Sequence, residues 1–316
     1  MLGNPISRQT LSVKLFFAFT AIYVIWGSTY LAIRYAVETI PPFLMMGSRS
    51  LIAGAILFLW SRLRKENGLK AEHLPSLIIL GASFFLIGHG LLAWAQQKVP
   101  SGFAALLMAS EPLWIALIES LAIRNSRVGI AGVLGLILGF VGMLVLIFPT
   151  KGMGSASLNI PGTIAILVGT LSWAGGAVYQ RVARLPGSPV LTAGMELMIG
   201  GFLLGIAGFS FGEFQVLQQN PVSIRSAFSL GYLIVFGSLV AFTAYIWLLG
   251  KTTATRVATH TYVNPVIAIM IGWQLAGEPL SFSTVIATAI IILSVYLVLN
   301  DRAIHGSAPA VEGEIV

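Results

Sequence analysis

The sequence contains no cysteine, and aspartate occurs once, at position 301. The first absence removes disulfides, thiolate metal sites and thiol nucleophiles together. The second removes any intramembrane protease built on two aspartates. Charge of either sign is scarce, at 9% of the 316 residues, against roughly 25% in a soluble domain. There is no His-Glu-x-x-His, and Gly250-Lys251-Thr252 imitates the end of a phosphate loop with Tyr245 where its first glycine belongs. A Ser28/His260 dyad lacks the strained turn that exposes a nucleophile. An enzyme, an ATP-driven machine, a metal centre and a bound cofactor are therefore not expected.

What the chain has in quantity is apolar surface, with 57% of its residues hydrophobic. No soluble core of this length hides so much, so lipid must be the solvent. Leu15 to Ile33, Val128 to Thr150, Ser226 to Gly250, Val257 to Gly277 and Pro279 to Asn300 each lack Asp, Glu, Lys and Arg. Each is close to the ~20 residues a helix needs to cross a bilayer. These runs do not alternate, and they are about twice too long for the strands of a barrel. The first apolar stretch is also too long for the core of a signal peptide, so it reads as a permanent span.

Breaking the apolar stretches at Pro, Gly and charge clusters predicts ten spans: 13–37, 43–61, 75–96, 101–122, 127–148, 160–181, 190–209, 228–248, 254–275 and 282–300. The tail 303–316 is rich in small and polar residues and reads as disordered. An even span count puts both termini on one side. With that side cytoplasmic, twelve Lys and Arg fall inside, from Arg8 to Arg302, against Lys98, Lys151 and Arg225 outside. The net charge of +7 is thus an orientation signal, and no nucleic-acid partner is expected.

The chain also repeats. A shift of 147 residues places Trp26 on Trp173, Arg34 on Arg181, Gly47 on Gly194 and Arg49 on Glu196. A shift of 153 places Trp94 on Trp247, Lys98 on Lys251 and Pro112 on Pro265. A duplication with one six-residue insertion accounts for both. Five spans per copy is an odd number, so the second copy, 160–302, is expected upside down relative to the first, 13–148. Inverted repeats are a recurrent plan of carriers that expose one site alternately to each side.

Several local motifs then take on meaning together: Trp26-Gly27-Ser28-Thr29-Tyr30, Val99-Pro100-Ser101-Gly102, Tyr262-Val263-Asn264-Pro265-Val266 and Gly277-Glu278-Pro279-Leu280-Ser281. In this order and spacing, over residues 13 to 302, the chain resembles the ten-helix EamA family of the drug/metabolite transporter superfamily, within it the YedA-like exporters. The resemblance implies an all-α membrane bundle in a bacterial inner membrane. It also implies a central cavity lined from both repeats, and export of small metabolites or drug-like compounds. It assigns no role to Glu111.

Ionisable groups at membrane depth are the functional pointers, because burying one costs several kcal/mol unless it is paired or solvated. Glu111 lies ten residues into the span entered at Ser101, roughly 15 Å deep at 1.5 Å per residue. It suits a proton carrier or a counter-charge for cationic cargo, or else a structural partner for a buried Arg or His. Pro112 beside it should kink the span. Asn264, His260 and Arg256 fall on one helical face at four-residue steps, as a polar cavity stripe or as a snorkelling Arg256 with packed neighbours. Arg49 and Glu196 hold equivalent places in the two copies, as halves of a gate or as members of structural ion pairs. Tyr23, Trp26 and Tyr30 form an aromatic stripe, and with Trp94 and Tyr245 they are candidates to line a cavity for cationic or amphipathic cargo. Gly135/Gly139 and Gly201/Gly205 are expected at close helix contacts. His89 reads equally as packing or as cavity.

Overall fold

The computed structural model describes residues 5–66, 68–122, 129–147, 159–251, 257 and 259–300; Arg256 and the tail 303–316 lie outside them. Among the described residues every regular element is helical. Seven helices are long and apolar enough to cross a membrane, and three shorter apolar helices, Ile130–Gly142, Val263–Ala276 and Phe282–Val298, join them. We number the spans in chain order. Spans 1 to 5 are Pro5–Ala36, Pro42–Leu63, Ala71–Gln96, the two pieces Ser101–Met108 and Glu111–Ala122, and Ile130–Ile147. Spans 6 to 10 are Ile160–Gln180, Pro189–Ser210, Ile224–Leu249, His260–Ala276 and Phe282–Leu299.

Polarity runs opposite to that of a soluble protein. Ile130, Val133, Leu134, Ile137, Phe140 and Leu144 of span 5 are exposed, while Arg49, Glu111, Glu196 and His260 are buried. An apolar rim around an ionisable centre is the arrangement a bilayer stabilises, since backbone and charge must find partners inside the bundle. The chain is an integral membrane protein.

The packing is its own image. Spans 2 and 7 pack together, as do spans 5 and 10. Span 1 packs on spans 8 and 9, and span 6 on spans 3 and 4; span 2 meets span 8 as span 7 meets span 3. Adding five to each number in the first copy reproduces the contacts of the second. At the central seam a Cβ on Gly47 would lie 3.2 Å from the Gly201 carbonyl, and one on Gly54 would lie 2.8 Å from the Gly194 carbonyl. Rising numbers on span 2 thus meet falling numbers on span 7, so these equivalent spans run antiparallel. Spans 5 and 10 do the same, with Gly135 against Val298 and Gly142 against Ile291. Gly139 is equally tight, at 2.7 Å from the Ser294 hydroxyl. Gly205 stands at the contact of spans 2 and 7, its amide 3.2 Å from where a Gly47 Cβ would lie, although its own Cβ would face open space.

Three local features were not legible as spans. A short helix, Glu213–Gln219, follows span 7 and holds its carboxylate against the Phe43 and Leu44 amides at 3.2 and 2.8 Å. Those amides open span 2, where free N–H groups favour a negative charge. Span 8 starts at Ile224, four residues before the expected 228, because the Ser223 hydroxyl accepts from the Ser226 amide at 3.1 Å and caps the helix. Spans 3 and 8 each contain a π-helical run, Ala82–His89 and Leu233–Phe242, in equivalent places of the two copies.

Candidate functional site

Span 4 is two helices rather than one bent helix. The first ends at Met108, Ser110 donates its hydroxyl to the Leu107 carbonyl at 2.6 Å, and a second helix starts at Glu111. Pro112 therefore stands in a first turn, where its missing N–H costs nothing, and the expected kink is a complete break. Glu111 is left at the amide end of a half-helix in the middle of the bundle, a position that favours an anion. Pro265, the equivalent of Pro112, lies inside an unbroken span 9.

Glu111 lines a small, partly open central chamber with about 40 Å³ for water-sized guests. That holds a few waters and no organic solute, so the chamber is contracted in this state. Trp26, Tyr30, Arg49, His89, Trp173, His260 and Asn264 face the same chamber. The glutamate is 4% exposed, and among the described residues it forms no ion pair. Arg49, 3% exposed, donates Nε to the Ser238 hydroxyl at 2.8 Å and Nη1 to the Met46 sulfur at 3.6 Å. Neither contact neutralises the guanidinium. One small chamber thus holds an anion-forming and a cationic group that have no ionic partner among the described residues.

Four rings, Trp26, His89, Trp173 and His260, build one wall. Trp26 lies 5.1 Å from His260 and 6.1 Å from Trp173, and His89 lies 4.9 Å from Trp173. His260 Nε2 and Trp173 Nε1 are both buried without an ordinary hydrogen bond. Oriented to satisfy its neighbours, the Asn264 amide donates to the Tyr23 and His260 carbonyls at 2.9 and 3.1 Å, and its oxygen accepts from His260 Nδ1 at 3.3 Å. Asn264 therefore fixes the histidine ring and ties span 9 to span 1.

Other expected residues lie elsewhere. Trp94 faces a separate groove of about 970 Å³ with Phe211 and Glu213, because it stands at the far end of span 3, beyond the chamber. Burial pushes the Glu213 carboxyl up, against the pull of its two amide donors. Tyr245 packs behind Trp26, outside the chamber lining, and Tyr23 bonds to Thr259 at 2.7 Å. Arg49 and Glu196 form no ion pair with each other among the described residues: the arginine turns toward span 8, and both Glu196 oxygens are buried without a donor. The Ser238 that receives Arg49 has Phe85 as its repeat equivalent, which offers a carboxylate nothing.

A clasp binds the ends of three spans at one end of the bundle. Glu278 accepts from Arg34 Nη1 at 2.6 Å, from the Ser101 amide and hydroxyl at 2.8 Å each, and from the Gly102 amide at 3.1 Å. Gly277 makes this possible by turning span 9 off through a left-handed residue at φ 62°. One carboxylate thereby binds the ends of spans 1, 4 and 9. In the sequence Glu278 reads only as part of a family motif, and nothing there signals that Arg34, 244 residues away, would reach it.

A polytopic bundle of two antiparallel copies around a small polar chamber is the architecture of a membrane carrier. The EamA-like transporter family model matches residues 13–148 and 160–300, and the chain belongs to this family. It is 34% identical over 306 residues to the uncharacterized inner membrane transporter YedA of Escherichia coli (strain K12), covering 96% of each chain. It is 24% identical to the uncharacterized transporter YoaV of Bacillus subtilis (strain 168), covering 90% of this chain and 96% of that one. A solved crystal structure 21% identical superposes with a TM-score of 0.65 over 92% of this chain and 99% of its own, a likeness of fold.

Proposed function

We propose that this membrane transporter is a secondary carrier that exports small zwitterions with an apolar or aromatic body in exchange for protons. The two five-span copies exchange conformations, so that the chamber faces one side and then the other. The observation that carries the reading is that Arg49 and Glu111 face one chamber and neither has an ionic partner among the described residues. A cargo carboxylate would lie on the guanidinium, a cargo ammonium on Glu111, and the body between the Trp26 and Trp173 rings. With an ammonium absent, a proton on Glu111 neutralises the same site, which couples cargo and proton by competition. Uniport and import through the same bundle are the alternatives within the class.

The reading is tested with the purified protein in liposomes that enclose a pH-sensitive dye. A gradient of neutral amino acids with apolar side groups should drive protons the opposite way, and their amide derivatives, lacking the carboxylate, should not. Zwitterion flux without proton movement would remove the coupling. No flux of either, with chemical change of the lipid, would replace the carrier with an embedded enzyme.

We also place the protein in a bacterial inner membrane with both termini cytoplasmic, on the asymmetry of Lys and Arg. Contacts between loops agree with alternating sides: Glu38 pairs with Arg225, and Glu66 accepts from Ser188. Reporter fusions after residue 40 should read periplasmic, and fusions after residue 68 or at the C-terminus cytoplasmic. A periplasmic C-terminus would break the assignment.

A further inference from the structure

The two tryptophans of the chamber occupy one position in the two repeats, and the structure treats them differently. Trp26 donates its indole N–H to the Gly237 carbonyl at 3.3 Å, inside the π-helical run of span 8. The 153-residue shift makes Phe84, inside the π-helical run of span 3, the equivalent of Gly237. Trp173 does not donate to it: its N–H is buried and faces the Tyr245 hydroxyl without reaching an ordinary hydrogen bond, although its ring lies only 4.6 Å from the Phe84 ring. Its neighbour Ser172 already donates to the Ser83 carbonyl at 3.1 Å, so span 6 sits one residue away from the missing bond.

A buried donor without an acceptor costs free energy that a small shift of its helix can recover. A π-helical run is where such a shift is easiest, since its wide turns exchange hydrogen-bond partners readily. Two copies of one unit, antiparallel at their seams, have a second arrangement in which each adopts the other's conformation. We propose that Trp26 and Trp173 are alternating latches: in the state seen here Trp26 holds span 8, and in the opposite state Trp173 holds the span 3 carbonyl while Trp26 lets go. This rests on the two repeats exchanging conformations, and it requires neither proton coupling nor a particular cargo.

The absence of native cysteine makes the test direct. Nitroxide pairs at Lys98→Cys with Gln219→Cys, and at Gly68→Cys with Lys251→Cys, report the separation of the two halves at opposite ends by double electron–electron resonance. Trp26→Phe removes the latch of the present state, and Trp173→Phe that of the other; both keep a ring in place. The two variants should shift the distance distributions in opposite directions, and the double variant should return toward the unsubstituted protein. Should either variant fail to fold, 15N-labelled indoles in the unsubstituted protein give the second reading. The Trp26 and Trp173 N–H signals should then exchange bonded and free character between the two states. Shifts in the same direction, or no shift, would overturn the proposal. So would a Trp173→Phe effect that appears only when a neutral amino acid is added, because the free N–H would then serve the cargo.

Discussion

Glu111→Gln should abolish accumulation driven by a pH gradient while leaving cargo exchange running. Glutamine keeps the shape and the acceptor of the carboxyl but cannot release a proton, so the chamber loses the step that ties cargo to protons. Exchange of cargo for cargo needs no net proton movement and should persist. The described residues also bear on what the substitution does to the fold. Had Glu111 been the partner of a buried arginine, its loss would strand a cation at a cost of about 3–5 kcal/mol. Glu111 forms no ion pair among the described residues, and Arg49 turns instead to Ser238 and Met46. The expected change in stability is therefore within roughly 1 kcal/mol, and the melting temperature should barely move. The check is to measure gradient-driven uptake into inside-out vesicles, exchange and thermal stability on one preparation. Unchanged dependence on the gradient would move the coupling role off this residue.

Glu278→Ala should have the largest effect on the fold, because four donors converge on one carboxylate. Its removal leaves the Ser101 and Gly102 amides and the Arg34 guanidinium without their acceptor, at a cost of about 3–5 kcal/mol. Arg34→Ala removes one donor of the four, from a side chain that is 35% exposed, and should cost only about 1 kcal/mol. The ratio between the two is the informative quantity. Equal losses in thermal melts would mean that the ion pair, rather than the capping of span 4, carries the clasp. On the topology proposed above, the clasp lies at the periplasmic end, so both variants should also raise labelling of cysteines placed there.

The spans were legible because lipid imposes a length and an apolar content that few other constraints imitate. The helix Glu213–Gln219 was not, because seven mixed residues on a surface carry no such signal. The π-helical runs have no signature in sequence; they follow from packing against spans 6 and 1. In the site, the cost of burying polar groups led directly to Glu111, His260 and Asn264, and the aromatic stripe to Trp26 and Tyr30. All five line the chamber. The same stripe gave no way to separate Tyr23, Tyr245 and Trp94, since helical spacing says which residues share a face and not which neighbour that face meets. The repeat gave Arg49 and Glu196 equivalent places as gate halves or local ion-pair anchors, yet the hydroxyl that holds Arg49 comes from span 8. Trp173 served only as a marker of duplication, although the chamber wall is incomplete without it.

The glycine seam between spans 2 and 7 also has a mechanical reading. A Cβ added at Gly47, Gly54, Gly194 or Gly201 would come within about 3 Å of the opposite span, so no larger residue fits there. Leu51, Leu57, Met198 and Leu204 occupy the space beside these glycines, so the two spans interlock as well as approach closely. Close dispersion contact along the whole seam resists parting of the two rods. If the copies exchange conformations as proposed above, this seam is the axle that stays closed, and the farther a span lies from it, the longer its stroke.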